Sequence, residues 1–257
     1  MNDRNIGSSL MAAFQVMLGI AFLALWQLSS GTIIDSFMIS DPISIFKKLY
    51  IWFSSGSIWV HIWATIYSTS IGFFIGASTG IVAGVWLGLS PTLSRLFDPY
   101  IWALNASPKV ALAPLFILWF GLGIESKIAL AAVLVVFLVF VNTFAGVRQV
   151  DSDLVDTIKL MGAKKRQILT KIILPDASSW IFIGIQTSIP YALIGTIIGE
   201  MIASNRGLGY LVQRSGSEFD TAGVFAALFI ISAIGVLLNQ LFVISHSPFQ
   251  KWRIVSR

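Results

Sequence analysis

Hydrophobic residues run through this chain in long blocks, and the charged residues gather between them. Apolar stretches at about 10–29, 64–89, 100–122, 128–147, 178–202 and 222–245 each approach the roughly 20 residues that an α-helix needs to cross a bilayer. The pattern predicts an all-α membrane protein with about six transmembrane helices, forming a single transmembrane domain over residues 1–257.

One interval breaks the pattern. Residues 148–176, RQVDSDLVDTIKLMGAKKRQILTKIILPD, hold Arg148, Lys159, Lys164, Lys165, Arg166 and Lys171 out of 17 Lys and Arg in the chain. Ionised side chains at membrane depth are too costly for this segment to lie in hydrocarbon. Asp153 is placed to cap a short helix, with Asp156 three residues on as a capping-box-like partner. Leu154, Ile158 and Met161 fall at i, i+4 and i+7, one apolar stripe. Gly162 ends the helix, and Ala163 and a basic run follow, where a helix C-terminus favours cations. A second helical stretch reaches Leu174-Pro175. The interval therefore predicts a helix–turn–helix on the membrane surface, facing something in the aqueous phase.

The blocks differ in character. The first follows Arg4, exceeds the roughly 7–15 residues of a signal-peptide core and has no small-residue cleavage site after it, so it reads as a retained span. The segment 42–53, PISIFKKLYIWF, is amphipathic and aromatic. It predicts an interfacial helix with Trp52, Trp59 and Trp63 near the headgroups; the alternative is a docking surface for an external protein. The second block carries Gly72, Gly76, Gly80, Gly84 and Gly88, a small-residue ladder that lets another backbone come close. It reads either as tight packing within one subunit or as a surface on which helices slide.

Asn105, Ser107, Pro108, Lys109 and Pro114 interrupt the third block. Either its helix is kinked, or 96–107 lies along the interface and a short crossing starts at Pro108; the second reading is preferred. Lys109 must face water or protein in both. The fifth block holds Gln186, Thr187, Ser188, Pro190, Tyr191 and Thr196, so it faces either a water-filled path or neighbouring helices. Glu200, at its end, is placed to pair with Arg206.

Composition agrees with this picture: 56% hydrophobic, 11% charged, net charge +5 and no Cys. The absence of Cys leaves no disulfide framework or thiolate metal site. With both termini on one side, Arg4, Arg95, Arg148, Lys159, Lys164, Lys165, Arg166, Lys171, Lys251, Arg253 and Arg257 share that side. Lys47, Lys48, Lys127, Arg206 and Arg214 lie opposite, with Lys109 assigned to neither side, which predicts cytoplasmic termini and a cytoplasmic 148–176 loop. No G-x-x-x-x-G-K-[ST] occurs, so the chain has no phosphate-cradling loop for ATP, and Arg206 to Tyr210 is not a dinucleotide fingerprint. His61 and His246 form no metal-ligand spacing, and no catalytic set is arguable. A secondary carrier would show inverted repeats and midplane ionisable residues. A membrane assembly protein would need neither the polar fifth block nor an ordered cytoplasmic helix.

Asp156-Thr157-Ile158, then Gly162, then Ile172-x-Leu174-Pro175 resembles the "EAA" loop of permease subunits in binding-protein-dependent ABC importers, with Asp-Thr-Ile where the family has Glu-Ala-Ala. ALAPLFILWFGLG at 111–123, NTFAGVR at 142–148 and GEMIASNRGLGYLV at 199–212 resemble the nitrate/sulfonate/taurine branch. The resemblance covers the chain from about Pro42 onward. It implies a type I importer permease in the bacterial cytoplasmic (inner) membrane, carrying a small, anionic or polar solute. Its partners would be a second copy of the chain, two ATP-binding cassette subunits and an external solute-binding protein, with no nucleic acid. The permease would need no cofactor, since ATP binds the partner. Coupling would fall to Asp153, Asp156, Thr157, Ile158, Met161, Gly162 and Ala163. Asn105, Ser107, Gln186, Ser188 and Tyr191 are the candidates for the translocation path.

Overall fold

Residues 3–246 are described by the computed structural model; Lys251, Arg253 and Arg257 of the charge argument lie outside the described residues. Helix α1 (Asp3–Ser29) leads through the single turn α2 (Ser36–Ile39) to α3 (Pro42–Ser54). Asp41 starts α3: its carboxylate accepts from the Ser44 N–H at 3.0 Å, and Pro42 occupies the first helical position, where no N–H is needed. Buried Ile45 and Leu49 turn one side of α3 inward, while Phe46, Lys47 and Tyr50 face out. Gln27 of α1 reaches the Asp41 carboxylate at 3.2 Å and ties the first two long helices together.

Four further helices follow. Helix α4 (Ile58–Gly88) is followed by α5 (Pro91–Ala106), then a 3₁₀ turn (Lys109–Leu112) continuing into α6 (Ala113–Phe120), and then α7 (Ile124–Arg148). The ladder packs face to face on α7. A β-carbon added at Gly72 would lie 2.6 Å from that of Ala131; at Gly76, Gly80, Gly84 and Gly88 it would meet Val135, Val139, Thr143 and Val147. Each step of four on α4 is matched by a step of four in the same direction on α7, so the two helices run parallel in fixed register. Only glycine admits the facing carbonyls of Ala132 and Val136, at 2.6 and 2.8 Å from such β-carbons.

The 148–176 interval forms α8 (Ser152–Leu160) and α9 (Lys165–Ile168). A π turn over Leu169–Ile173 then joins α9 to α10 (Leu174–Ala203), giving one continuous apolar helix from Lys165 to Ala203. The wide turn lies directly before Pro175, which has no N–H to give a preceding carbonyl, so the helix bends its hydrogen-bond pattern rather than ending. The helix thus starts ahead of the crossing expected from 178. Helix α10 packs on an adjoining face of α7 and antiparallel to it: Gly184 faces Asn142, Gly195 faces Ala131 and Gly199 faces Lys127. Helices α4, α7 and α10 therefore pack mutually, with the Thr69 and Thr196 hydroxyls 3.0 Å apart across α4 and α10. The chain closes with α11 (Leu208–Ser217) and α12 (Thr221–His246), whose Ala226, Ala227, Ile230 and Ile234 share a core cluster with Ile45, Leu49, Ile58 and Leu208.

Among the described residues, α4, α7, Lys165–Ala203 and Thr221–Ile244 are each long and apolar enough to cross a membrane. The third block is broken: α5 and the Lys109–Phe120 segment meet at 82°. Ser107 is extended because it precedes Pro108. Lys109 folds its ammonium back onto the carbonyls of Asn105 at 3.0 Å and Ser107 at 3.4 Å, over the Phe137 ring.

Candidate functional site

The functional residues lie at the two ends of the bundle. At one end, the loop end, α8 starts at Asp151, whose carboxylate accepts from the Asp153 N–H at 2.8 Å. The cap is thus two residues earlier than the expected Asp153, which already lies in the first helical turn. Asp156 serves no capping box; it pairs with Lys159 at 2.8 Å, while Thr157 donates to the Asp153 carbonyl. The far end of α8 is a Schellman turn. Gly162, at φ +87°, gives its N–H to the Lys159 carbonyl at 2.9 Å, and the Ala163 N–H reaches Ile158 at 3.2 Å. That turn lifts the apolar residues before it into the open: Leu160 is 90% and Met161 80% exposed. Leu154 is also exposed, and Ile158 is half-buried. Arg148, the last residue of α7, bridges back to Asp98 of α5 at 3.1 Å and lies over Phe144.

The five path candidates do not share one surface. Gln186 and Tyr191 lie on the exposed side of α10 with Ile183, Thr187 and Ile194. Ser188 faces the packed side instead, fully buried, its hydroxyl donating to the Ile185 carbonyl at 2.8 Å. By the helical period it lies about 160° around the helix from Gln186 and about 60° from Tyr191, so within the single chain it does not share their exposed surface. Ser107 is exposed, with its hydroxyl on the Ala103 carbonyl at the α5–α6 bend. Asn105 lines a cleft with Asp98, Trp102, Phe144 and Arg148.

At the opposite end, the turn end, three helices meet at a carboxylate that the sequence had paired wrongly. Glu200 is 1% exposed and makes no ion pair with Arg206. Its oxygens accept from the Thr65 hydroxyl at 2.8 and 2.9 Å and from the Gly209 N–H at 2.8 Å. Thr65 in turn accepts from the Leu208 N–H at 2.8 Å, and His61 Nδ1 from the Gly207 N–H at 3.1 Å. Groups from α4 and α10 thus satisfy three successive donors at the start of α11, which a helix N-terminus otherwise leaves unpaired. The signal that would have found this site is the glycine pair. Gly207 adopts φ +112°, and Gly209 passes so near the Ile197 carbonyl and Glu200 that no side chain fits.

A bundle of long apolar helices locked by glycine contacts, with an ordered polar helix–turn–helix at one end, is the layout of a membrane transport subunit. Residues 76–247 match the family described as the binding-protein-dependent transport system inner membrane component, and the chain belongs to it. Over 242 residues, 93% of this chain and 87% of the relative, it is 33% identical to the putative aliphatic sulfonates transport permease protein SsuC of Bacillus subtilis. It is 31% identical to the formylaminopyrimidine transport permease protein ThiX of Halalkalibacterium halodurans, over 85% of this chain and 87% of that one. With the taurine transport system permease protein TauC of Escherichia coli the identity is 30%, over 88% and 86%. An amino acid ABC transporter solved with histidines superposes with a TM-score of 0.58 at 18% identity, covering 82% of this chain and 98% of that one. An inward-facing MetNI methionine ABC transporter gives 0.56 at 19% identity, over 78% and 94%; these two likenesses concern the fold. The chain is the permease component of an ABC importer, whose family works with ATP-binding subunits and a binding protein.

Proposed function

We propose that two copies of this chain form the pore of the importer, each seated on one of two ATPase subunits through α8. The observation that carries the reading is the tip of that helix: Leu160 and Met161 stand 90% and 80% exposed beside a Schellman turn that fixes their direction. Apolar side chains held in the open on an ordered polar loop suit insertion into a partner's groove. ATP binds that partner, so the permease needs no cofactor and carries out no hydrolysis itself. The Lys and Arg distribution supports a cytoplasmic loop end and termini, with the turn end and α3 toward the external binding protein. ATPase closure would pull on α8 and move α10 with it, because α9, the π turn and α10 are one continuous helix. This is rigid-body switching between two packed states. Gln186 and Tyr191, on the open side of α10, are the path residues this reading favours, with Asn105 and Ser107 at the bend. The relatives' named solutes favour a small organic molecule such as a sulfonate.

The test is Gly162→Val. A side chain there meets nothing within 4 Å in its own chain, so its effect is confined to the left-handed backbone and to a partner. The strain is about 1–2 kcal/mol, enough to redirect the tip without unfolding the bundle. The variant is expected to insert normally but to lose co-purifying ATPase or substrate-stimulated hydrolysis in reconstituted vesicles. Wild-type coupling would mean that the loop is only a solvated connection.

A further inference from the structure

At the turn end, beside the Glu200 site, lies a cavity of about 690 Å³ that nothing in the transport cycle proposed above uses. Its floor is Lys127, in the first turns of α7, and its rim includes Arg206. Lys127 is only 8% exposed, yet it makes no hydrogen bond and no ion pair among the described residues. Its stem is accommodated by Gly199 of α10, where a β-carbon would press on it at 3.1 Å. A lysine given a glycine to lie against, with Glu200 and Glu125 near enough to act on its charge but no acceptor bonded to its ammonium, is unusual in a membrane protein. Intramembrane cations normally pair, line water or bind something.

The carboxylates nearby are already engaged. Glu200 accepts from Thr65 and Gly209, and Glu125 folds back over Gly123 at the start of its own helix, where an anion is favoured. Arg206 has only its backbone in hydrogen bonds, to the Ser204 hydroxyl. Glu200 also lines the cavity, and it and Glu125 act on Lys127 through their charge, but neither makes a direct ion pair with it, so the pocket offers an ammonium and a guanidinium whose hydrogen-bond donors are not taken up. Trp59, Trp63 and Tyr67 stand along one side of α4 at four-residue steps and supply an apolar, aromatic wall beside them.

We infer that this cavity binds an oxyanion with an apolar tail, the charged head between Lys127 and Arg206 and the tail along Trp59, Trp63 and Tyr67. A sulfonate solute and the phosphate of an anionic phospholipid share this chemistry. The inference does not depend on the coupling role of α8.

Two probes separate the sources, both on the full transporter complex. Butane-1-sulfonate is titrated calorimetrically into the complex in phosphatidylcholine nanodiscs. Phosphatidylglycerol is offered in mixed phosphatidylcholine–phosphatidylglycerol vesicles, and the lipid retained after extraction is counted by native mass spectrometry. One of the two anions is expected to bind. Removing either cation should weaken it about tenfold or more, the scale of a hydrogen bond to a charged group. Lys127→Gln and Arg206→Gln are the variants, and Lys47→Gln, an exposed cation on α3, is the control for surface charge. Arg206 is exposed and outside the packing, so its variant keeps the test alive if Lys127→Gln fails to fold. Sulfonate binding identifies the solute and phosphatidylglycerol retention identifies a lipid. Binding of neither anion, or equal binding in the Arg206→Gln variant and the wild type, overturns the inference.

Discussion

Gly80 and Val82 differ by two positions and by everything that matters to packing. A β-carbon at Gly80 would sit 2.8 Å from the Val136 carbonyl, whereas Val82 is 69% exposed on the far side of α4. Gly80→Leu is therefore expected to destabilise the bundle by about 1–3 kcal/mol through overpacking, with Val82→Leu close to neutral. Thermal unfolding in detergent, followed by the loss of monodisperse protein, checks the difference; equal midpoints would place the ladder against lipid. At the other buried contact, Glu200→Ala removes the acceptor for Gly209 and the partner of Thr65. Leaving buried donors unpaired costs about 1–3 kcal/mol, and the loss should appear as faster hydrogen exchange confined to the start of α11. Unchanged exchange there would mean that α11 is held by its apolar side alone.

Among whole elements, α3 shows how charge at a helix end can matter for assembly. The Ser44 hydroxyl and N–H hold the Asp41 carboxyl below its ordinary 3.8. At the start of α12, burial works to raise Asp220, but Lys48 of α3 and the Gly223 N–H hold it below the usual range too. A depressed carboxylate contributes stability that is present above its unfolded value and lost as pH falls through the folded one. Acidification below about 4 is therefore expected to loosen α3 from α1 and α12, and Asp41→Asn should flatten that response. Exchange rates of α3 amides across pH 6 to pH 3, corrected for intrinsic rates, give the measurement; a flat wild-type profile would contradict it.

The elements also show what a sequence can disclose here. The end of α8 was legible because a glycine after an apolar stripe has one physical use, and the ladder because its four-residue spacing admits one face. The break near Pro108 was legible from its prolines, and the two segments it separates meet at 82°. Less was readable where a residue's partner lies far along the chain. Glu200 looks toward the nearest cation, Arg206, but is satisfied by Thr65, 135 residues away. The cap at Asp151 was missed because three acidic residues, Asp151, Asp153 and Asp156, crowd this stretch. The uninterrupted helix through Pro175 was missed because a π turn leaves no compositional trace.

For the molecule as a whole, the account makes α7 the fixed member, packed through glycines against both α4 and α10, and α10 the helix that carries force from the loop end toward the turn end. That arrangement matters only if the loop end sits on the ATPase. The chain has no Cys, so Met161→Cys introduces a unique thiol at the tip of α8. In membranes holding the complete transporter, a bifunctional maleimide should join this position to a cysteine in the ATPase groove, with a yield that changes between nucleotide-free and ATP-bound states. No cross-linked permease–ATPase species in either state, with both proteins present and the thiol reactive, would contradict the account.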